Sequence, residues 1–414
     1  MLRYYSWLLV TLLFFVSALF CYTYEYYTTL ILLPGISLLF LFSRKEILNP
    51  GFLLFTISFY YLLNSFYLDA NAIILSKTYV CLFYFVLILF FLGFNDLKIE
   101  YKDLILLDSR YRLNRLVFCF LSFYVSYLFL LFISYFNQGL LSTFARTILI
   151  SPVEAIIYGL LLIIFSKNKK IGFILFLMFM ITPFIRLLAS DEVNRASMLY
   201  MIILSFYLFF IYIKEEKVLR GFSSILLISL FLILLTATDI YMSFYENNII
   251  GGDALIIFSA NNIIEYYSSN NIYHEYFMPF HNYFAIAIPD DFWFLGEKLK
   301  AYNPSAWYIE NILGLNPNVY PWGIGVSIIG SGYIYFGSIG VVVLSLLFVL
   351  FFNFLSNKVD SSFMLGIYLY FVFRLPYAAF RMDETFLFPV ILIDLVVLCF
   401  FVLIVKKLTR EVMI

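Results

Sequence analysis

Long apolar runs separated by short polar connections make up most of the chain. Each run is near the ~20 residues that an α-helix needs to cross a hydrocarbon core of about 30 Å. Twelve such runs lie near residues 6–22, 28–42, 51–67, 72–93, 116–136, 152–166, 171–189, 197–213, 222–240, 327–352, 361–380 and 387–405. One polar insert, from Asp239 to Trp322, interrupts the pattern. The pattern predicts an all-α polytopic membrane protein of about 12 transmembrane helices, divided into residues 1–238 (helices 1–9), a large extracytoplasmic loop with short helices over 239–326, and residues 327–414 (helices 10–12 and a tail).

Composition agrees with a membrane protein and excludes an ordinary soluble domain. Of the 414 residues, 64% are hydrophobic and 13% are charged, about half the charged share of a soluble domain. The 26 basic and 26 acidic residues cancel, and no nucleic-acid partner is indicated. The first run, Trp7 to Phe20, lacks a small-residue cleavage site behind it, so we expect an uncleaved anchor. The four cysteines lie in or beside apolar runs, which predicts neither a disulfide nor a cysteine metal site.

The placement of basic residues predicts the orientation. Alternate connections hold 18 of the 26 lysines and arginines, and the other set of connections holds 8. Because cytoplasmic connections are enriched in basic residues, both termini are expected in the cytoplasm and the large loop outside it. No nucleotide pool exists there, which argues against ATP-coupled or nucleotide-sugar chemistry in the loop.

The basic residues of the short outer connections are all of one type. Cytoplasmic connections mix lysine with arginine, whereas the short outer ones carry Arg146, Arg186, Arg195, Arg374 and Arg381. For each residue taken singly, the alternative is a snorkelling anchor at the interface. A guanidinium group, however, binds phosphate oxygens through two parallel hydrogen bonds, which a lysine ammonium does not. If the fold brings these connections together, the set predicts a clamp for an anionic ligand at the outer membrane surface.

Carboxylates accompany two of these arginine groups. Asp191 follows Arg186 by five residues, and Asp383 follows Arg381 by two. These carboxylates are candidates for orienting the guanidinium groups or for proton transfer, and a local ion pair at a helix start is the alternative. Asp394 lies within the last apolar run, where we expect it to pair with an arginine or with hydroxyl groups of the bundle.

The insert contains candidates for proton transfer and for sugar contacts. His281 is the natural proton acceptor near neutral pH, although a lone loop histidine is often only a hydrogen-bonding residue. His274 and His281 are seven residues apart, a spacing that does not suit a zinc-binding helix, so no metal site is expected. Three indole rings either stack on sugar rings or anchor the loop at the interface: Trp293, Trp307 and Trp322.

A short apolar pattern near the start of the insert predicts a surface helix. Residues 253–271 place Leu255, Ile256, Ile263 and Ile264 among asparagines and serines. This pattern is typical of a short helix that lies on the bilayer surface.

Glycines recur in the segment that follows the insert. Residues 323–340 contain Gly323, Gly325, Gly330, Gly332, Gly337 and Gly340. Small residues at such close intervals allow either a tight approach between helices or a broken helix that lines a cavity.

The same segment resembles the O-antigen polymerases of the Wzy type. Residues 323–327 (Gly-Ile-Gly-Val-Ser) and 332–340 (Gly-Tyr-Ile-Tyr-Phe-Gly-Ser-Ile-Gly) are similar to that family's glycine-rich entry and aromatic-Phe-Gly step, which also follow a large outer loop. Arg381-Met382-Asp383 is similar to its Arg-Gly-Asp-like element, with methionine at the glycine position. A glutamate-bearing version of the motif is absent, and Ser331 stands near that place. Residues 281–283 (His-Asn-Tyr) are similar to the His-Asn motif of the O-antigen ligases.

The resemblance implies a membrane glycosyltransferase that polymerises undecaprenyl-pyrophosphate-linked oligosaccharide repeat units at the outer face of the cytoplasmic (inner) membrane, its active site facing the periplasm or cell exterior. The arginines would stabilise the pyrophosphate leaving group, and His281, Asp191 or Asp383 would take the acceptor proton. No cofactor or metal is required. The implied partners are the lipid-linked oligosaccharide, the lipid bilayer and a chain-length regulator protein.

Two alternatives stay open. An O-antigen ligase would transfer finished glycan to a lipid A core. A lipid-linked oligosaccharide flippase has a similar number of spans, but the long outer loop and the absence of internal repeats in the sequence disfavour it.

Overall fold

The computed structural model describes residues 108–136, 149–189, 259–260, 262–267, 304–316, 326–381 and 384–409. These ranges contain no β-strand, and their helices are α1 (Leu113–Phe136), α2 (Ile150–Lys167), α3 (Lys169–Ala189), α4 (Pro304–Asn311), α5 (Ile328–Phe336), α6 (Ser338–Ser356), α7 (Ser362–Arg381) and α8 (Glu384–Thr409), together with the helical residues 259–260 and 262–267.

Length and composition support membrane crossing for part of this bundle. Three stretches are long and apolar enough to span a bilayer: Leu113–Ile133, Ile150–Lys167 and Ile339–Ser356. The predicted all-helical class is thus confirmed for the described residues, and these three helices support a membrane-embedded protein. The count of about 12 spans and the placement of both termini stay predictions.

Helix α2 is the centre of the bundle. Every residue from Ile150 to Phe165 is buried, and α1, α3, α7 and α8 pack around it. Its crossing with α7 depends on two glycines. A Cβ atom added to Gly366 would lie 2.7 Å from the Gly159 Cα atom, and one added to Gly159 would lie 2.7 Å from the Phe363 carbonyl oxygen. The two backbones are therefore in direct contact, which any larger residue would prevent.

Helices α2 and α3 run in opposite directions. Asn168 alone connects α2 to α3, and its side-chain Oδ1 accepts hydrogen bonds from the backbone N–H groups of Lys170 and Ile171 at 3.1 and 3.2 Å. This side chain caps the start of α3 and satisfies donors that lack a partner within the helix. The Tyr124 hydroxyl of α1 donates to the Met178 carbonyl oxygen of α3 at 2.8 Å, roughly midway along both helices.

The predicted single span over residues 327–352 is wrong, because the chain breaks at Gly337. The Ser327 hydroxyl accepts from the Gly330 N–H at 3.4 Å and caps the start of α5. Helix α5 ends at Gly337, whose φ of 59° lies in the left-handed region that favours glycine. A Cβ on Gly332 would lie 2.8 Å from the Val341 Cα atom, so α5 and α6 fold back in close contact. The predicted close approach between helices is thus observed at these glycines, and the helix is broken at Gly337, whereas the lining of a cavity stays a prediction.

The prediction of a surface helix is corrected for the residues that the structure describes. Ala260, Ile263 and Ile264 have no exposed surface. A Cβ on Gly330 of α5 would lie 3.1 Å from Ile263 Cδ1 and 3.5 Å from Ala260 Cα. The apolar side of residues 259–267 is therefore buried against α5 and not presented to lipid. Leu255 and Ile256 lie outside the described residues.

Candidate functional site

Asp108 joins three helices at one end of the bundle. Its Oδ1 accepts from the Ser362 backbone N–H at 3.0 Å, and its Oδ2 accepts from the Ser166 hydroxyl at 2.8 Å. The start of α7 and the end of α2 thus lie together, just before α1. The carboxyl group is 1% exposed. Burial raises the pKa of Asp108 above its ordinary value, and the hydrogen bonds from Ser362 and Ser166 and the charge of Lys167 offset part of that rise.

Basic residues gather at this same end, which we call the lysine end. The Arg112 N–H donates to the Thr409 carbonyl oxygen at 3.1 Å, and Arg115 Nη1 donates to the Leu408 carbonyl oxygen at 3.3 Å. Lys406 Nζ lies 2.8 Å from Asp360 Oδ2 in an ion pair. The end of α8 therefore meets the start of α1 and the connection between α6 and α7. The lysine end holds Arg110, Arg112, Arg115, Lys167, Lys169, Lys170, Lys358, Lys406 and Lys407.

Three of the predicted clamp arginines lie in the opposite halves of their helices. Arg186 is three residues from the end of α3, and Arg381 is the last residue of α7. Because α3 and α7 both start at the lysine end, these residues lie at the other end of the bundle, which we call the arginine end. Arg374 is seven residues before Arg381, almost two full turns at about 3.6 residues per turn. The Cα atoms of Arg374 and Arg381 therefore lie on the same side of α7.

The structure describes only the backbone at Arg186, Arg374 and Arg381, so their convergence on one ligand stays a prediction. The remaining predicted site residues lie outside the described ranges: Arg146, Arg195, Asp191, Asp383, His281, Trp293 and Trp322.

Trp307 is not placed for stacking on a sugar ring. Its side chain is 2% exposed. The indole ring stacks on Tyr267, with ring centroids 5.4 Å apart and planes at 6°, and meets Tyr266 edge-on at 5.6 Å. The Asn262 side chain donates to the Tyr308 hydroxyl at 3.0 Å beside this cluster. Trp307 therefore packs α4 against residues 259–267, and a sugar would have to displace Tyr267 to reach the stacked face.

A chain of buried polar groups links four helices near the start of α2, and we call it the carboxylate chain. It comprises Tyr127 of α1, Ser151 and Glu154 of α2, Tyr370 of α7 and Asp394 of α8. Tyr127 and Tyr370 contact Glu154 at 3.1 and 3.0 Å. Ser151 contacts Tyr370 at 3.4 Å and Asp394 at 2.6 Å. Glu154 is 7% exposed and Asp394 is 3% exposed.

The sequence analysis identified Asp394 but not Glu154. Asp394 does pair with bundle hydroxyl groups, through Ser151, as one of the two predicted alternatives had it. Sequence reasoning missed Glu154, although a carboxylate inside the apolar run 152–166 was a sufficient signal, because an ionisable residue in a membrane span is costly unless it has a role.

The described geometry allows two kinds of chemistry. Arginine residues on the helices at the arginine end suit an anionic ligand, and two buried carboxyl groups linked by hydroxyl groups suit the holding or transfer of a proton. Within the described ranges, no group of three His, Cys, Asp or Glu residues is placed to hold a metal ion. No protein-family model, curated protein or solved structure matches the chain. The residues described above are therefore the basis for its function.

Proposed function

We propose that the chain is an integral-membrane glycosyltransferase that polymerises undecaprenyl-pyrophosphate-linked oligosaccharide repeat units, with its site on the outer side of the cytoplasmic membrane. The observation that carries this proposal is the separation of charge between the two ends of the bundle. The lysine end mixes lysine and arginine, as cytoplasmic connections do. At the opposite ends of α3 and α7, the basic residues are all arginine.

Arginine at that place suits a phosphate-bearing lipid. A guanidinium group stays charged near hydrocarbon and forms two parallel hydrogen bonds to phosphate oxygens. A pyrophosphate leaving group develops negative charge as the glycan departs, and preorganised cations stabilise that charge. Arg374 and Arg381 on one side of α7 would present two such groups along the same line, with Arg186 contributed by α3.

The break at Gly337 adds a second, independent support. The segment that resembles the Wzy-type polymerases is the one in which α5 and α6 meet at glycines. In membrane proteins, irregular backbone at a helix break is typical of segments that line a substrate cavity.

A reconstituted assay tests the proposal. The purified protein in lipid nanodiscs is given the lipid-linked repeat unit that accumulates in a deletion strain of its own host, and the products are separated by size. We expect a ladder of lengthening glycans, and a loss on the order of 10²-fold in rate for Arg374→Lys and Arg381→Lys, because charge is kept while two-point binding is lost. Exposed Arg110 at the lysine end gives the matched control Arg110→Lys, which should polymerise normally.

The carboxylate chain favours a flippase as a second candidate, because buried carboxyl groups in a membrane bundle are typical of proton-coupled transport. The deletion strain separates the alternatives. A polymerase mutant carries single repeats on its surface acceptor, a flippase mutant retains lipid-linked units on the cytoplasmic side, and a ligase mutant accumulates finished polymer on the lipid carrier. Either of the last two results would overturn the polymerase proposal.

A further inference from the structure

The lysine end carries far more positive than negative charge. Among the residues that the structure describes, this end holds nine basic side chains and two carboxylates, those of Asp108 and Asp360. Asp108 is buried and accepts hydrogen bonds from Ser362 and Ser166, and Asp360 is paired with Lys406. The described acids therefore offset only a small part of the positive charge.

The connections outside the described ranges do not supply the missing negative charge. All the connections that the sequence assigns to this side of the membrane contain 18 basic and nine acidic residues. When the described residues are left out, nine basic and seven acidic residues remain, which is again an excess of positive charge. The charge at the lysine end is therefore balanced by anions from outside the chain.

Exposed apolar side chains lie one helical turn from the lysines of α3. Lys169 and Lys170 precede Phe173 and Ile174 by four residues, and all four side chains are exposed. Residues four apart lie on the same side of a helix, about 6 Å apart along its axis. In both pairs the lysine is nearer the end of the helix, and the apolar residue is nearer its middle.

The same arrangement recurs at the ends of two other helices. Exposed Lys407 follows exposed Leu403 of α8 by four residues. After α6, the Lys358 ammonium group lies 5.6 Å from the ring centroid of exposed Phe354, within the range of a cation–π contact. Apolar surface that gives way to ammonium groups within one turn matches the boundary between the hydrocarbon and the headgroups of a lipid leaflet.

We propose that the lysine end binds the headgroups of anionic phospholipids, through Lys169 and Lys170 of α3 and through Lys358 and Lys407. A positively charged surface at headgroup level attracts a phosphodiester that carries no cation of its own. A zwitterionic headgroup fits less well, because it would place its own ammonium group among the lysines. The inference depends neither on the transferase proposal nor on the leaflet that the lysine end faces.

The position of the α3 lysines supports an external anion. Both lie in the first turn of α3, where the helix dipole disfavours cations, and this turn contains no acidic residue. Interaction with the helix therefore does not explain these two charges. An anionic headgroup beside them does, and the apolar side chains one turn further along α3 would contact its acyl chains.

Electron paramagnetic resonance of spin-labelled lipids tests the proposal on the full-length protein in phosphatidylcholine membranes. The motionally restricted component reports the lipids in contact with the protein, and it is compared for phosphatidylglycerol and phosphatidylcholine with the same labelled acyl chain. We expect phosphatidylglycerol to associate several-fold more strongly, because each basic residue at a membrane surface contributes up to about fivefold. Equal association of the two lipids at low salt would overturn the proposal and leave the lysines as topology signals only.

Substitutions locate the preference on the protein. Lys169→Gln combined with Lys170→Gln should lower the ratio of the two association constants by about twofold or more, whereas the same pair changed to arginine should keep it. Lys298→Gln combined with Lys300→Gln removes equal charge from the polar insert and should leave the ratio unchanged. If the insert variant lowers the ratio as much as the α3 variant does, the preference reflects total charge and the proposed site is wrong. Gel filtration and thermal unfolding establish that each variant is folded.

Inorganic phosphate and salt distinguish a lipid site from a site for a free anion. The preference for phosphatidylglycerol should shrink in NaCl, because the screening length falls to about 3 Å at 1 M. At matched ionic strength, inorganic phosphate should displace phosphatidylglycerol no more than NaCl does. Stronger displacement by phosphate would show that the lysines bind a free anion, and it would overturn the lipid proposal.

Discussion

At the lysine end, a single buried carboxyl group holds the first turn of α7 in place. Asp108 accepts from the Ser362 N–H, one of the donors at a helix start that have no partner within the helix. The adjacent Ser361 hydroxyl accepts from the Met364 N–H at 3.3 Å. Two side chains thus share the capping of α7, and one of them is an acid whose pKa burial raises.

Replacing Asp108 by asparagine should change the pH dependence of stability. The pKa of Asp108 in the folded protein lies above the unfolded value of about 3.9. Folding therefore favours the protonated acid, and the contribution of Asp108 to the free energy of unfolding is full below the unfolded pKa and declines as pH rises through the folded pKa. Asp108→Asn keeps an acceptor for Ser362 but cannot ionise. As the pH rises from the unfolded to the folded pKa of Asp108, we therefore expect the free energy of unfolding of Asp108→Asn to increase relative to that of wild type.

Thermal unfolding in detergent from about pH 4 upward measures this difference. Asp108→Ala, which removes the acceptor, should be less stable than Asp108→Asn by about 0.5–2 kcal/mol at every pH. A constant gap between wild type and Asp108→Asn over the whole range would contradict the assigned direction of the pKa shift.

Trp307 gives a second prediction for a single residue. Because its indole ring is buried against Tyr266 and Tyr267, Trp307→Ala should lower the free energy of unfolding by about 3–5 kcal/mol. Unfolding monitored by intrinsic fluorescence or by a thermal-shift dye measures the change. A variant with wild-type stability but weakened glycan binding would instead restore the sugar-stacking role.

Sequence reasoning recognised some of these residues and not their partners. Asp394 was identified because a carboxylate in a span is conspicuous, and hydroxyl pairing was one of two expected solutions. The link from Asp394 through Ser151 and Tyr370 to Glu154 joins residues more than two hundred positions apart. Apolar periodicity indicates which side of a helix is buried, but it does not specify which neighbour the buried side meets.

Among the helical elements, the joint between α5 and α6 depends most on glycine. A Cβ on Gly340 would overlap the Gly332 carbonyl oxygen. Gly314, after α4, has a φ of 64° but nothing within 4 Å of an added Cβ. The two positions therefore separate a steric requirement from a conformational one.

We expect Gly340→Ala to destabilise the protein more than Gly314→Ala does. Gly314→Ala should cost about 1–2 kcal/mol, the penalty of a left-handed conformation for a residue with a Cβ. Gly340→Ala must in addition push α5 and α6 apart, which should lower both the thermal midpoint and the yield of monodisperse protein. If Gly314→Ala proves the more harmful substitution, the close contact between Gly332 and Gly340 is not important for folding.

Hydropathy alone could not reveal this joint. Residues on both sides of Gly337 are apolar, so the run 327–352 appears continuous in any measure of hydrophobicity. The glycine spacing was the signal, and it allowed both a close-packed helix and a broken one. The helices α1, α2, α3, α7 and α8 were predictable because each is bounded by polar or charged residues, whereas α5 and α6 are separated only by a change in backbone conformation.

For the whole molecule, the separation of the lysine end from the arginine end is the feature that the sequence anticipated best. The sequence assigns lysine-containing and arginine-only connections to opposite sides of the membrane. The described helices place the corresponding basic residues at opposite ends of the bundle. The position of α2 at the centre was not predictable, because runs of similar hydropathy give no order of packing.

Reporter fusions test which end faces the cytoplasm. A periplasmic-type reporter fused at Asn262 should be active only outside the cytoplasm, and one fused at Lys169 should be inactive there, because the lysine end follows the positive-inside rule. A cytoplasmic reporter at the same two sites serves as the control and should give the opposite pattern. The reverse result would invert the bundle and remove the site from the outer face.

The burial of α2 on all sides has a consequence for biosynthesis. Helices α1 and α3 are made beside it, but α7 and α8 follow α2 by almost two hundred residues or more. At about 5–20 residues per second, α7 emerges roughly 10–40 s after α2. Throughout that interval Glu154 lacks Tyr370 and Asp394, and only Tyr127 of its final partners has been synthesised. The nascent protein therefore has to hold a glutamic acid within an incomplete bundle until the synthesis of α7 and α8 supplies the remaining partners of Glu154.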